Sequence, residues 1–437
     1  MIPKYAQPGE WLTDGGLTDQ GRQARRTYAK FVDGLMDLPV STYRVSRVLH
    51  LLQSNYYDTS ADGFALPPHT INFCVNNVCN FKCSYCDLNH GRQEWDHLNT
   101  KMKHNVIDPK VRHELPLDLC KRIIDEVAWF RPTIRIPWME PLLYRDLIPF
   151  IEYTKSKDLQ FSMLTNGLLL PKYARQLVDA GVDALRVSLD GPEAVHEGLC
   201  GVKGAYAKII EGLGILVEER KKRGIDLQIG CYFTVNDKNC DQLVPMLESL
   251  DEAGLLEEMF VGFFMFNYIS KNMVEAHNTH HAAVCGATVE ETSAQYIDIS
   301  KIDVDSLLRQ RREIEERFAH RTRIHFRPDF TESNLRFCVS DAAGEFPGSR
   351  CETQWHTLFI NPDGEIKSLP QCILDPVGNV HENTFLDIWN GEKMREQRKL
   401  LRQYGAYYGC MRCWSIYNNI EDLQGSWKSF PATGTED

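Results

Sequence analysis

The sequence predicts an α/β fold: a partial parallel barrel of six strand–helix units, followed by a small C-terminal α+β domain. Three observations lead there. Short runs rich in β-branched and aromatic residues alternate with helical stretches between residues 69 and 334. Beyond Arg323 that texture changes, and a Pro-Asp-Gly turn at 362–364 separates two short strands. Nine of the 14 cysteines crowd at two places, Cys74 to Cys86 and the last hundred residues, which suggests two metal centres in two domains.

Residues 1–68 read as an N-terminal helical extension, with helices expected over Thr18–Leu38 and Ser41–Gln53 and a break at Pro67-Pro68. Strands are expected at Thr70–Val75, Thr133–Pro137, Gln160–Leu164, Ala184–Leu189, Leu227–Val235 and Phe260–Phe266. Between them helices are expected at Leu117–Phe130, Leu147–Ser156, Lys172–Ala180, Tyr206–Lys222 and Gln242–Ala253. Ligands of such sheets gather at the carboxyl ends of the strands. Residues 268–300 read as irregular, and Asp303–His320 as a charged helix covering the barrel. The second domain, 335–437, holds the hairpin Phe359–Ile366 and one helix over Phe385–Gln403.

Composition narrows the function classes. The chain is 43% hydrophobic and 25% charged, ordinary for a globular protein. Its net charge of −11 argues against a nucleic-acid partner, which needs clustered Lys and Arg. No run of about 18 apolar residues occurs, so no membrane span is expected. The first ten residues hold no apolar stretch fit for a signal peptide, so a cytoplasmic location is expected. In a reducing compartment these cysteines are metal ligands or catalytic groups before they are disulfides.

Cys79, Cys83 and Cys86 supply three thiolates within eight residues, directly after the first strand. That suits a cubane iron–sulfur cluster held at three corners, with one iron open. Zinc is the alternative, with His90 close enough to close a tetrahedral site. Cys351, Cys372, Cys410 and Cys413 supply four thiolates, enough for a closed second cubane or for a zinc ribbon. Cys338 competes with Cys351 for a place in that set.

The spacing C-x3-C-x2-C, with Tyr85 before the last cysteine, resembles the defining motif of the radical S-adenosylmethionine (SAM) superfamily. Three later segments resemble the same family in order. Trp138-Met139-Glu140-Pro141 stands where members carry Gly-Gly-Glu-Pro, with both glycines replaced; Leu164-Thr165-Asn166-Gly167 matches the third-strand turn, and Val187-Ser188-Leu189-Asp190-Gly191 the fourth strand. The resemblance implies that SAM sits on the open iron, with Tyr85 against adenine, Glu140 on the methionine amino group and Ser188 at the ribose. Thr165 and Asn166 are carried over as further SAM contacts. The stretch from Cys351 through Pro362-Asp363-Gly364, Cys372 and Asp387–Arg395 to Cys410 and Cys413 resembles the SPASM/twitch extension. No cysteine follows Cys413, so the shorter twitch form with one auxiliary cluster is implied, making two [4Fe-4S] clusters in all.

For members of this family, reduced cluster and SAM yield a 5′-deoxyadenosyl radical that abstracts hydrogen from carbon, and the cofactor does the hard chemistry. Asp190 and Arg186 are the catalytic candidates, with the His196–Glu197 pair beside them. Asp190 also reads as a turn cap, and Arg186 as an ion-pair partner within the sheet. His277, His280 and His281 read as a solvated loop or a metal site. The remaining cysteines read as small buried fillers, one of which could donate hydrogen in an epimerase. The resemblance implies a polar small-molecule substrate, a sugar or aminocyclitol alcohol that is oxidised, epimerised or dehydrated, with a ribosomal peptide as the competing substrate. An electron donor such as flavodoxin or ferredoxin is the implied partner.

Overall fold

The computed structural model describes residues 19–36, 61–86, 111–292, 296–343, 350–368, 372–413 and 415–416. Helix α1 spans Asp19–Met36 and meets the first expected helix; Ser41–Gln53 and His90 lie outside the described residues.

A single ten-stranded sheet organises the chain. Strands β1 (Thr70–Phe73), β2 (Thr133–Ile136), β3 (Phe161–Thr165), β4 (Ala184–Ser188), β5 (Gln228–Val235), β6 (Phe260–Met265) and β7 (Ile324–Arg327) run parallel in chain order. The other edge of β1 pairs in parallel with β8 (Thr357–Ile360), which continues antiparallel into β9 (Glu365–Lys367) and β10 (Gly378–Asn379). The C-terminal hairpin therefore extends the barrel sheet. Two parallel strands, β7 and β8, join the six expected in the barrel; β7 escapes sequence reading because it is short and flanked by charge.

Alternation along the strands sorts the two faces. Ile71, Phe73, Ile134, Phe161, Val187, Phe233 and Phe263 are buried on the helix-covered side. There Phe150 meets Phe73 and Phe161 edge-on, at 5.0 and 5.7 Å between ring centres. Each such side chain contributes roughly 1.5–3 kcal/mol of burial. The opposite face carries Arg135, Ser162, Arg186, Ser188, Tyr232, His325 and Arg327, in register across β2 to β7. Arg135 on β2 lies within electrostatic reach of Arg327 on β7. Five strand spacings of flat sheet would separate them by about 24 Å, so the sheet curls around a polar inner face.

Two sequence expectations change. Residues 268–300 are not wholly irregular: α-helices run over Lys271–His280, capped by the Ser270 hydroxyl, and Ala282–Cys285. The helix expected over Phe385–Gln403 is two, Phe385–Trp389 and Glu392–Tyr404, broken at Asn390-Gly391. Asn390 is thereby freed to bond both the N–H and the C=O of Ala65, at 3.1 and 3.0 Å. The helix Val304–Arg317 is present, and its Gln310 accepts from the Leu243 and Val244 amides at the start of helix Leu243–Glu252. Among the described residues no helix is long and apolar enough to cross a membrane.

Candidate functional site

The three-cysteine loop leaves the carboxyl end of β1 and is held from below by helix Glu193–Cys200. The Lys82 amide donates to the Cys200 carbonyl at 3.0 Å and the Ser84 amide to Leu199 at 2.9 Å. These are carbonyls that a helix end leaves without internal partners. Sequence reading missed this helix, whose left-handed C-cap Gly201 was its visible signal. Cys79, Cys83 and Cys86 are all part-exposed, and none is in a disulfide. Burial pushes the Cys83 thiol well up, and Cys86, Asp190 and Cys79 push it further, so Cys83 faces both its sister thiols.

Glu140 is fully buried at the end of β2. Its Oε1 accepts from the Thr165 hydroxyl at 2.7 Å and the Leu142 amide at 3.0 Å, and its Oε2 from the Asn166 amide at 2.8 Å. An ionised carboxylate offers about four acceptor sites, so one is left for a further donor. Burial pushes Glu140 up to about 7 against the pull of those donors. Asn166 bridges onward, its Nδ2 donating to Asn80 Oδ1 at 2.6 Å and lying 3.7 Å from Cys79 Sγ. Gly167 follows at φ +79, where a Cβ would strike Val187 and Ile209. The two missing glycines leave a trace: Met139 keeps a left-handed φ of 57°, a conformation that glycine adopts without strain.

Asp190 follows β4. Its Oδ2 accepts from the Tyr85 hydroxyl at 2.7 Å, and its Oδ1 from the Thr234 amide on β5 at 2.8 Å. It ties the cysteine loop to the sheet; it does not cap the turn after its own strand. Burial pushes its carboxyl up to about 6. His196 Nδ1 accepts from the Asp190 amide at 3.2 Å, and burial holds the ring down at about 4. Glu197 accepts from the Tyr206 amide at 3.3 Å. Both members of that pair serve backbone amides.

Ser188 ends β4 on the inner face, in register with Tyr232. Arg186 lies two residues earlier on the same face. Among the described residues it has no carboxylate partner, contrary to the ion pair expected; its NH1 donates to Ser162 Oγ at 2.8 Å.

The second cysteine set brackets β8 and β9, with Cys351 before them and Cys372, Cys410 and Cys413 after. Burial pushes the Cys351 thiol to about 12, with Cys413 and Cys372 adding to it, and burial, Cys372, Cys351 and Cys413 raise Cys410. The four therefore converge. Cys338 is buried elsewhere, beside Tyr268. His277 and His281 are buried, not solvated. Their Nδ1 atoms accept from the Gly409 amide at 3.3 Å and the Tyr408 amide at 3.1 Å, fixing the turn that presents Cys410. Cys285, one of the expected fillers, is part-exposed; burial raises its thiol pKa, and nearby Cys372 adds to the rise.

Among the described residues no three His, Cys, Asp or Glu side chains close on a point at single-ion spacing. The donor sets nevertheless fit iron–sulfur clusters. Each is all thiol, and thiolates that repel one another are held together by the iron between them. A separate cleft of about 340 Å³, bordered by Arg220, Glu258, Phe260 and Arg323, opens at the amino ends of β5 and β6 and faces away from the first cysteine loop.

Comparison with known proteins matches residues 73–254 to the radical SAM superfamily and 351–414 to the SPASM iron–sulfur cluster-binding domain. The chain is 31% identical over 220 residues to the GTP 3′,8-cyclase of Aliarcobacter butzleri, covering 50% of this chain and 62% of that protein. It is 27% identical over 203 residues to the Fe-coproporphyrin III synthase of Methanosarcina barkeri, covering 44% and 45%. The match thus spans about half the length of these curated relatives. The crystal structure of Streptococcus suis SuiB bound to S-adenosylmethionine superposes with a TM-score of 0.52 at 15% identity, covering 86% of this chain and 78% of that one. Both family matches fall on the thiol-bearing regions, so the chain carries a radical SAM domain, which binds SAM and a [4Fe-4S] cluster, and a SPASM domain, which holds an auxiliary iron–sulfur centre.

Proposed function

We propose that this enzyme abstracts a hydrogen atom from a polar small molecule held against the inner face of the barrel. The observation that supports it is the gathering of Cys79, Cys83, Cys86, Glu140, Asn166 and the Tyr85–Asp190 pair at the carboxyl ends of the strands, above that polar face. When bound, SAM on the first cluster supplies the 5′-deoxyadenosyl radical. Cys79, Cys83 and Cys86 hold that cluster, Glu140 takes the methionine ammonium on its remaining acceptor site, and Ser188 faces the ribose. Thr165 and Asn166 fix Glu140, and Asn166 reaches the cluster side.

Asp190 is a positioning residue on this reading: both its oxygens are occupied, and it orients Tyr85. Cys351, Cys372, Cys410 and Cys413 hold the auxiliary cluster, which has no open iron and serves as an electron acceptor. A sugar or aminocyclitol alcohol suits the polar inner face and an oxidative outcome. The relatives, named for a GTP cyclisation and for an iron porphyrin, widen the substrate class beyond sugars. A flavodoxin or ferredoxin would reduce the first cluster.

Anaerobically reconstituted protein, given dithionite and SAM, should release 5′-deoxyadenosine, and a Cys79/Cys83/Cys86→Ala triple variant should not. Equal release from both would refute the proposal.

A further inference from the structure

Three arginines from three strands meet on the inner face around one tyrosine. Arg135, Arg186 and Arg327 all lie within electrostatic reach of Tyr232, and Arg135 within reach of the other two. The Arg186 guanidinium stands over the Tyr232 ring at 5.8 Å and the Phe260 ring at 5.6 Å. Its Nε is buried and has no hydrogen-bond partner. Among the described residues neither Arg135 nor Arg186 has a carboxylate partner. Burial, Arg186 and Arg327 together lower Arg135 to about 10. Burial would raise the Tyr232 hydroxyl, but the three guanidiniums outweigh it and hold it below the usual phenol range. His325 adds no counter-charge: burial first, then Arg327, Arg323 and Arg186, keep it neutral, near 4.

Two guanidiniums without carboxylates, Arg135 and Arg186, are costly in a partly desolvated interior, and an anion placed between them offsets that cost. Arginine forks match planar carboxylates and phosphates with two hydrogen bonds each. Location supplies the second argument. Arg186 lies two residues before Ser188 on one face of β4, about 7 Å along the strand. Tyr232 is the register partner of Ser188. Arg186 therefore sits one layer deeper in the barrel than the position assigned above to the SAM ribose, while Arg327, level with Thr234 through Phe264, lies nearer the mouth, so the cluster flanks the space where a substrate would lie.

We infer that Arg135, Arg186 and Arg327, gathered around Tyr232, form an oxyanion-binding site that anchors a phosphate or carboxylate group of the substrate inside the barrel. This rests on the reading of the barrel interior as the substrate site. The acidic net charge of the chain makes the cluster a local exception, selecting anions that enter the barrel.

Isothermal titration of the reconstituted holoenzyme, with SAM present, would use pyrophosphate as the phosphoryl probe and citrate as the carboxylate probe. At least one should bind, and Arg135→Gln and Arg186→Gln should each weaken it about tenfold or more, the loss expected of one charge-assisted contact. Pyrophosphate binding alone would assign a phosphorylated substrate, and citrate binding alone a carboxylate. Should a glutamine variant not fold, Arg135→Lys and Arg186→Lys keep the charge without the fork and should show a smaller loss in the same direction. No binding of either probe by the wild type, or unchanged affinity in the folded variants, would overturn the inference. So would binding seen only without SAM, which would assign the arginines to the cofactor. Release of 5′-deoxyadenosine by the same wild-type sample reads the proposed function separately, so either idea can fail alone.

Discussion

The Tyr85 hydroxyl donates to Asp190 Oδ2 at 2.7 Å, joining the residue beside Cys86 to the end of the fourth strand. One hydrogen bond thus couples the cysteine loop to the sheet, and Thr234 on the next strand holds the carboxylate from the other side. Tyr85→Phe removes the donor and keeps the ring. We expect a loss of about 1–3 kcal/mol in urea unfolding, the cost of a buried acceptor left short of a partner. The first cluster should still assemble in that variant, as iron content will report, because no ligand has changed. Unaltered stability would show that the carboxylate finds another donor.

Glu140 supplies a pH dependence whose sign follows from its burial. Its folded pKa, about 7, exceeds the ordinary 4.5, so the folded protein binds a proton that the unfolded chain has released. The contribution is fully present below about pH 4.5 and is lost as pH rises through about 7. Relative to Glu140→Gln, the wild-type apoprotein should therefore lose stability between pH 5 and 8, by on the order of 3 kcal/mol at most. Parallel curves for the two proteins would mean that Glu140 is not proton-linked to folding.

Reconstituted protein should carry about eight irons, and Cys410→Ala with Cys413→Ala about four. His277→Ala and His281→Ala should move the count in the same direction without touching a ligand. Each frees a buried amide of the turn before Cys410, at a cost of about 1–3 kcal/mol. Full iron content and an unchanged auxiliary-cluster spectrum in both variants would show that the turn holds itself.

At Met139 the left-handed backbone carries a Cβ that glycine would lack. Met139→Gly should be more stable than Met139→Ala by about 1 kcal/mol, a comparison that isolates that atom. The reverse order would show that the backbone there relaxes away from positive φ.

Much of this was legible in the chain because it is written locally. The strand at Ala184–Ser188 was expected one residue longer, since alternation and β-branching mark it without help from elsewhere. Glu140, Thr165 and Asn166 were read as a SAM set and prove to be one hydrogen-bonded group. What escaped depends on partners far away in sequence. Nothing near Ile324–Arg327 reveals that β6 offers it an edge. His277 and His281 looked like a polar loop because the amides they serve lie 132 and 127 residues downstream. Arg186 was expected to find a carboxylate, and the neighbours that curvature brings to it are other arginines.

The parallel pairing of β1 with β8 has a consequence for how the chain is made. Asn72 on β1 bonds the Leu358 carbonyl, 286 residues further on. At about 5–20 residues per second, a ribosome needs roughly 15 to 60 s to deliver that partner. Throughout that interval the strand that carries the first cysteine loop has one open edge, the kind that recruits foreign strands. Trp389, Asn390 and Arg398, which clasp residues 63–66, arrive later still. The newborn barrel is thus finished by a segment made 286 residues after its first strand. Release of a chain cut short before β8 would leave that edge open for good, and aggregation of the nascent protein would begin there.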